Sequence, residues 1–207
     1  MYRSQLILDL SDPSMRRALN DCNDMHRNLM KAFRELPTNT PRASQSLLYT
    51  LTTVEGKPAL YVTSKDKPDW SLVKGVRPYM NKEPLCIDGL KDLLLTGRKL
   101  RFRLFASPTK KSARRDHLST RVFLKSREER EQWLYKQAKK SGFEICYVEE
   151  KERTRILGNK AGATIQYTAV VFTGILKITD SDAFWNAYCN GIGPGKAYGL
   201  GMLMIGG

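Results

Sequence analysis

Residues 2–10 (YRSQLILDL), a polar start running into an apolar stretch, read as a strand. Residues 13–18 then suggest a short helical turn. Asp21 is placed to cap a helix over residues 22–35, where Cys22, Met25, Leu29, Phe33 and Leu36 recur at helical spacing. Residues 46–54 and 59–64 read as two strands joined through Glu55-Gly56-Lys57-Pro58. From 65 to 96 the pattern fades. Pro68, Pro78 and Pro84 interrupt it and leave room for a short helix over 90–95.

The second half is more regular. Residues 100–106 (LRFRLFA) alternate as a strand. Ser126 can cap a helix over 128–140 that offers Trp133, Leu134 and Ala138 to a core, and Gly142 stops it. Residues 143–149 and 165–178 read as strands. A helix starting at Asp180 or Ser181 runs through Tyr188 and ends at Gly191, and residues 200–205 form a last strand. The order is βαββαβ, the ferredoxin-like unit, and residues 2–64 supply the first half of another. The predicted class is α+β: two tandem ferredoxin-like (RRM-like) domains with antiparallel sheets, one over 1–95 and one over 96–207. Such sheets host many functions, so the fold alone selects none.

Composition bounds the rest. Hydrophobic residues make up 41% of the chain, enough for a packed core. No apolar run approaches the roughly 20 residues that cross a bilayer. Asp9 interrupts the N-terminus where a signal peptide would stay apolar. The expectation is a soluble, cytoplasmic protein with no membrane partner. Cys22, Cys86, Cys146 and Cys189 are widely spaced with no CxxC pair, which favours free thiols over a zinc site. The net charge is +14 and unevenly spread: residues 1–94 hold 14 basic and 11 acidic side chains, residues 95–207 hold 21 and 10. A field of that sign and asymmetry suits a polyanion, whose condensed counterions are released when phosphates are neutralised.

Four segments could carry chemistry. Residues 191–201 (GIGPGKAYGLG) place Gly191, Gly193, Gly195, Gly199 and Gly201 around Lys196. Such a backbone can approach a phosphate closely, or it can be a purely structural turn. It follows a helix and enters a strand, the reverse of a dinucleotide fingerprint, and no P-loop GKS or GKT is present. Residues 98–115 hold eight basic residues and no acidic one, including Arg101, Arg103, Lys110, Lys111, Arg114 and Arg115. Arg101 and Arg103 share one strand face opposite Leu100, Phe102 and Leu104. Residues 151–163 carry Lys151, Arg153, Arg155 and Lys160, with Gly158-Asn159 able to turn a hairpin; a cationic hairpin and an irregular loop both fit. Of the two histidines, His117 lies in the basic loop. His26 lies beside the apolar stripe of the first long helix, where an edge-of-core role and a proton-transfer role both fit. The Glu128/Glu129/Glu131 and Glu149/Glu150/Glu152 groups sit among cations, and Asp180/Asp182 read as a helix cap. None offers a clear two-metal carboxylate set, so no metal site is expected.

Five of these stretches together resemble one family: MYRSQLILDL, MHRNLMKAF around His26, FRLFASPTKK (102–111), REEREQWL followed by SGFEI, and GIGPGKAYGLGML. The chain resembles the CasE subfamily of CRISPR repeat-RNA endoribonucleases, of subtype I-E, along most of its length. The resemblance implies two ferredoxin-like domains, a CRISPR repeat RNA hairpin as substrate, and partner subunits of a surveillance complex. It also implies cleavage at the 3′ side of the stem without metal or cofactor, leaving a 2′,3′-cyclic or 3′ phosphate. His26 falls on the family's catalytic histidine and Lys31 on a basic residue five positions later. Five residues turn an ideal helix about 140° past a full turn, so Lys31 does not share the face of His26. The cationic segments supply Arg101, Arg103, Lys110, Lys111, Arg153, Arg155, Lys160 and Lys196 to the expected RNA-binding set, and the resemblance adds a phosphate contact at the five glycines of the loop. Ser107 stands where an asparagine is common, a modest departure, and Asn23 stands where a tyrosine is common, which leaves as the fallback a subunit that binds the hairpin without cutting it.

Overall fold

The computed structural model describes residues 1–33, 44–112 and 120–206. In the first half, β1 (Tyr2–Leu8), α1 (Pro13–Asn20), α2 (Cys22–Met30), β2 (Leu48–Val54) and β3 (Lys57–Ser64) follow one another. Two short strands, β4 (Val76–Pro78) and β5 (Leu85–Cys86), then return to the edge of β1. The sheet order is β2-β3-β1-β4, all antiparallel. That is the ferredoxin-like order, with a 3₁₀ turn at Trp70–Leu72 in the stretch between β3 and β4 where the second helix would stand. Its core holds Leu6, Leu8, Met15, Met25, Leu29, Tyr49, Leu60, Val62 and Trp70.

The second half contains β6 (Lys99–Ala106), a separate ribbon of β7 (Thr109–Ser112) and β8 (Thr120–Phe123), α3 (Arg127–Lys140), β9 (Phe143–Lys160), β10 (Ala163–Ile178), α4 (Ser181–Asn190) and β11 (Leu203–Gly206). The order β11-β6-β10-β9 repeats the same topology. Leu100, Phe102 and Leu104 point into a core with Trp133, Leu134, Phe143, Phe172 and Phe184, while Arg101 and Arg103 face away. A capping box starts α3: Glu129 N–H donates to the Ser126 hydroxyl and the Glu129 carboxylate accepts from Ser126 N–H. Inside, Arg130 forms a bidentate pair with Glu150 (2.8 and 2.6 Å) and also donates to the Leu124 and Lys125 carbonyls, tying α3 to β9. A small cluster of Ile87, Tyr188 and Cys189, with Met1 packed on it, joins the two halves.

Several boundaries differ from the sequence reading. The first strand ends at Leu8, because Asp9 N–H turns to the Gly75 carbonyl. The expected turn at 13–18 is a full helix, capped by Asp12. The helix expected over 22–35 ends at Met30, and a tighter turn through Phe33 follows; positions 34–36 of that expectation lie outside the described residues. The helix expected over 90–95 is a 3₁₀ segment at Asp88–Leu93, and the last strand begins at Leu203 rather than residue 200.

The largest correction concerns residues 150–163. Strand β9 runs on to Lys160 and β10 starts at Ala163, so the chain reverses at Ala161-Gly162, not at Gly158-Asn159. Ala161 (φ 50°) and Gly162 (φ 81°) both take left-handed backbone, as a two-residue turn between twisted strands requires. Residues Ala163 to Ala169 pair only with β9, because β6 joins β10 from Val170 onward. The β9–β10 pair therefore projects beyond its sheet as a two-stranded arm of seven residue pairs, about 24 Å at a strand's rise.

Candidate active site

The arm ends on α2. Asp21, the N-cap of that helix, accepts the N–H groups of Asn23 (2.8 Å) and Asp24 (3.1 Å) with one oxygen and that of Asn159 (3.0 Å) with the other. Asn23 returns a bond from its side-chain amide to the Asn159 carbonyl (2.9 Å). Gly158 makes this approach possible. A Cβ there would lie 2.7 Å from Cys22 Sγ and 2.8 Å from Asp21 Oδ1, distances no side chain tolerates. One carboxylate thus caps the helix and clamps the arm, and Asn23 is committed to the clamp.

His26 follows one turn later. Met25 and Leu29 are buried beneath it, and its imidazole is half-buried at the edge of that stripe. Tyr198 meets it edge-to-face, with ring centroids 6.4 Å apart and planes at 84°. Tyr198 belongs to the glycine segment, on a 3₁₀ turn (Lys196–Tyr198) between Gly195 and Gly199, and Lys196 shares that turn. Tyr167, from the arm's β10, packs on the other side of Tyr198 at 5.9 Å. Burial raises both phenols above their usual range; Tyr167, Cys22 and Asp21 add to the effect at Tyr198. Both are therefore neutral donors at physiological pH. Cys22 is pushed up to about 11 by burial, with Asp21 adding to it, and is a thiol rather than a thiolate.

Gly191, Gly193, Gly195, Gly199 and Gly201 all have positive φ, so the loop conformation itself selects glycine. At Gly199 packing adds to this: a Cβ would meet the Tyr49 ring at 2.9 Å. Gly201 N–H donates to the Phe105 carbonyl, which seats the loop on β6. Between the loop, the arm and α1–α2 lies a crevice of about 220 Å³, lined by Cys22, Tyr49, Phe105, Arg155 and Tyr198 among others.

The cations fall into three groups. Arg155 and Lys160 are exposed on the arm, and Arg153 is exposed at its base, paired with Val170, with its guanidinium 5.0 Å above the Phe123 ring. Arg101 and Arg103 lie on the face of β6 turned from the core. Lys110 and Lys111 lie on the β7 ribbon, where Lys110 pairs with Glu129 at 3.0 Å. Lys31 is the C-cap of α2 and donates to the Asn28 side chain (2.8 Å), away from the face of His26. His117, Arg114 and Arg115 lie outside the described residues. Ser107 is buried and donates to the Thr168 carbonyl (2.6 Å), fixing the end of β6 against the base of the arm. Among the described residues no group of three His, Cys, Asp or Glu could hold a metal ion. Nor is any described helix long and apolar enough to cross a membrane.

Sequence reasoning missed Tyr198, Tyr167, Asp21's second role and Asn159. Tyr198 had a signal, an aromatic inside a glycine-rich loop. The clamp had none, because its partners are 136 to 138 residues apart.

A family model described as CRISPR-associated protein matches residues 1–206. The chain is 32% identical over 221 residues to the CRISPR-associated endoribonuclease Cse3 of Thermus thermophilus, covering 99% of both. A solved structure of Thermus thermophilus Cse3 bound to an RNA representing a pre-cleavage complex superposes with a TM-score of 0.83 at 29% identity, over 100% of this chain and 98% of that one. A chain of a CRISPR RNA-guided surveillance complex in a pre-nicking state matches at 0.76 and 27% identity, over 99% of each. With a fold of two ferredoxin-like sheets and a match along its whole length, the chain belongs to the CRISPR-associated protein family.

Proposed function

We propose that this chain is a metal-independent endoribonuclease that binds a CRISPR repeat RNA hairpin and cuts it by attack of the RNA's own 2′-hydroxyl. The observation that carries this reading is the seating of the cationic arm on the helix that holds His26. Arg155 and Lys160 lie on the arm with Arg153 at its base, and Asp21 and Asn23 hold the arm one turn from His26. RNA gripped along the arm reaches the imidazole directly. The similarity to Cse3 and its RNA-bound structures supports the same reading. We assign residues 1–95 to a domain that carries the reactive helix and residues 96–207 to one that holds the stem. Arg101, Arg103, Lys110, Lys111 and Lys196 add to the field that attracts phosphates. Lys31 completes the charge at the end of α2.

The chemistry asks for little beyond proton transfer. The 2′-hydroxyl is tethered beside the phosphorus, so positioning supplies much of the acceleration. His26 exchanges the proton, and neighbouring N–H groups and cations stabilise charge on the phosphate oxygens. The similarity to a surveillance-complex chain supports a place for the protein in such an assembly, and we assign it to the cytoplasm. A second reading, a subunit that binds the RNA hairpin without cutting, is favoured by Asn23, whose amide is occupied by Asn159. Incubating a labelled repeat RNA hairpin with the protein in EDTA tests both. Cleavage supports the endoribonuclease, binding with intact RNA the second reading, and activity appearing only with magnesium contradicts the metal-independent mechanism.

A further inference from the structure

Cleavage by 2′-hydroxyl attack moves two protons. One leaves the 2′-oxygen as it bonds to phosphorus, and one must reach the 5′-oxygen as the P–O5′ bond breaks. In-line geometry puts these oxygens on opposite sides of the phosphorus, so one imidazole cannot serve both at the same moment. A second donor is needed beside His26, resting on the function proposed above.

We propose that Tyr198 is that second catalytic residue: its hydroxyl delivers the proton to the departing 5′-oxygen while His26 accepts the 2′-proton. The Tyr198 ring meets His26 at 6.4 Å and nearly perpendicular, so the phenol stands beside the imidazole. Its backbone is fixed on a short 3₁₀ turn between two left-handed glycines, and Gly199 lets that turn settle against Tyr49. Tyr167 packs on the ring's other side and acts as a positioning residue. Tyr198 also borders the crevice with Arg155, which brings a cation to the same space.

The neighbouring groups leave this role open to Tyr198. Asp21 is committed to three N–H donors. Cys22 and Tyr49 are buried and held neutral. Asn23 is tied to Asn159. A phenol kept neutral by burial retains its proton until the strongly basic 5′-alkoxide develops, the state an acid catalyst requires. After the step the phenolate regains its proton from solvent or from the protonated His26, and atoms and charge balance without a metal.

The test compares single-turnover cleavage of two repeat RNA hairpins, one natural and one with sulfur replacing the bridging 5′-oxygen at the cut. A thiolate leaves without a proton. Tyr198→Phe keeps the ring and should slow the natural substrate by about 10²-fold. Its affinity should stay within about two-fold, because a neutral hydroxyl adds little to phosphate neutralisation. On the sulfur substrate, Tyr198→Phe and wild type should be equally fast, whereas His26→Ala should remain slow. Tyr167→Phe should cost less than Tyr198→Phe, and sulfur should not rescue it selectively. Near wild-type cleavage of the natural substrate by Tyr198→Phe would overturn the assignment, as would equal slowing on both substrates. If wild type itself leaves the natural substrate intact in EDTA, the endoribonuclease reading falls first and this one with it.

Discussion

The two halves of the molecule share a sheet order and, under the proposed function, divide the labour. The first sheet closes with short strands and 3₁₀ turns, carries nearly balanced charge, and presents His26 at the edge of a nine-residue helix. The second keeps both helices, holds most of the excess positive charge, and extends its central hairpin well past the sheet. Grip and chemistry thus sit on different elements, and the comparison teaches that their joint matters as much as either. That joint is small: Asp21, Asn23, Gly158 and Asn159.

Removing the chemistry should have the largest effect. His26→Ala should reduce cleavage by roughly 10²–10⁴-fold, the range of a lost general acid–base group. Affinity for the RNA hairpin should stay within several-fold, since one imidazole adds little to the neutralisation of the many phosphates. Single-turnover rates beside equilibrium binding check this. A parallel loss of affinity would mean that the first half also grips.

Breaking the joint should come next. Gly158→Val inserts methyl groups where even a Cβ lies 2.7 Å from Cys22 Sγ. The arm should lift from α2, and cleavage should fall by about 10²-fold, the scale of a misplacement near 1 Å. Cut sites should also spread over neighbouring phosphates on a sequencing gel. Cys22, buried and held as a thiol in the native protein, should become reactive to alkylation, read by mass spectrometry. Clean cleavage at one site with Cys22 still protected would show that the joint does not set register.

Weakening the grip should have the smallest effect per residue. Neutralising Arg153 and Arg155 should lower affinity and reduce the slope of log K against log salt by about one for each lost phosphate contact. The cleavage rate at saturating protein should hold. An unchanged slope would place the RNA away from the arm.

The fold was legible where burial imposes a period. LRFRLFA shows its alternation because Leu100, Phe102 and Leu104 are core and the arginines are not. The arm was not legible, because much of β9 from residue 150 to 160 is exposed and has no buried face to print a pattern. Gly158-Asn159 looked like a turn, yet Gly158 is needed for close packing on α2, and the reversal moves to Ala161-Gly162. His26 was singled out through its residue type and the family resemblance. Tyr198 was overlooked because the glycines around it drew attention to the backbone. The clamp depends on tertiary register, which no local spacing encodes.

The central claim is that the RNA supplies its own nucleophile to a site built around His26. A repeat RNA hairpin with a single 2′-deoxy substitution just upstream of the cut addresses it directly. Under intramolecular attack this substrate binds as the natural one does and stays intact, in EDTA and in magnesium alike. Cleavage of it at the normal position would show that water or a metal hydroxide attacks, and would contradict the role given to His26.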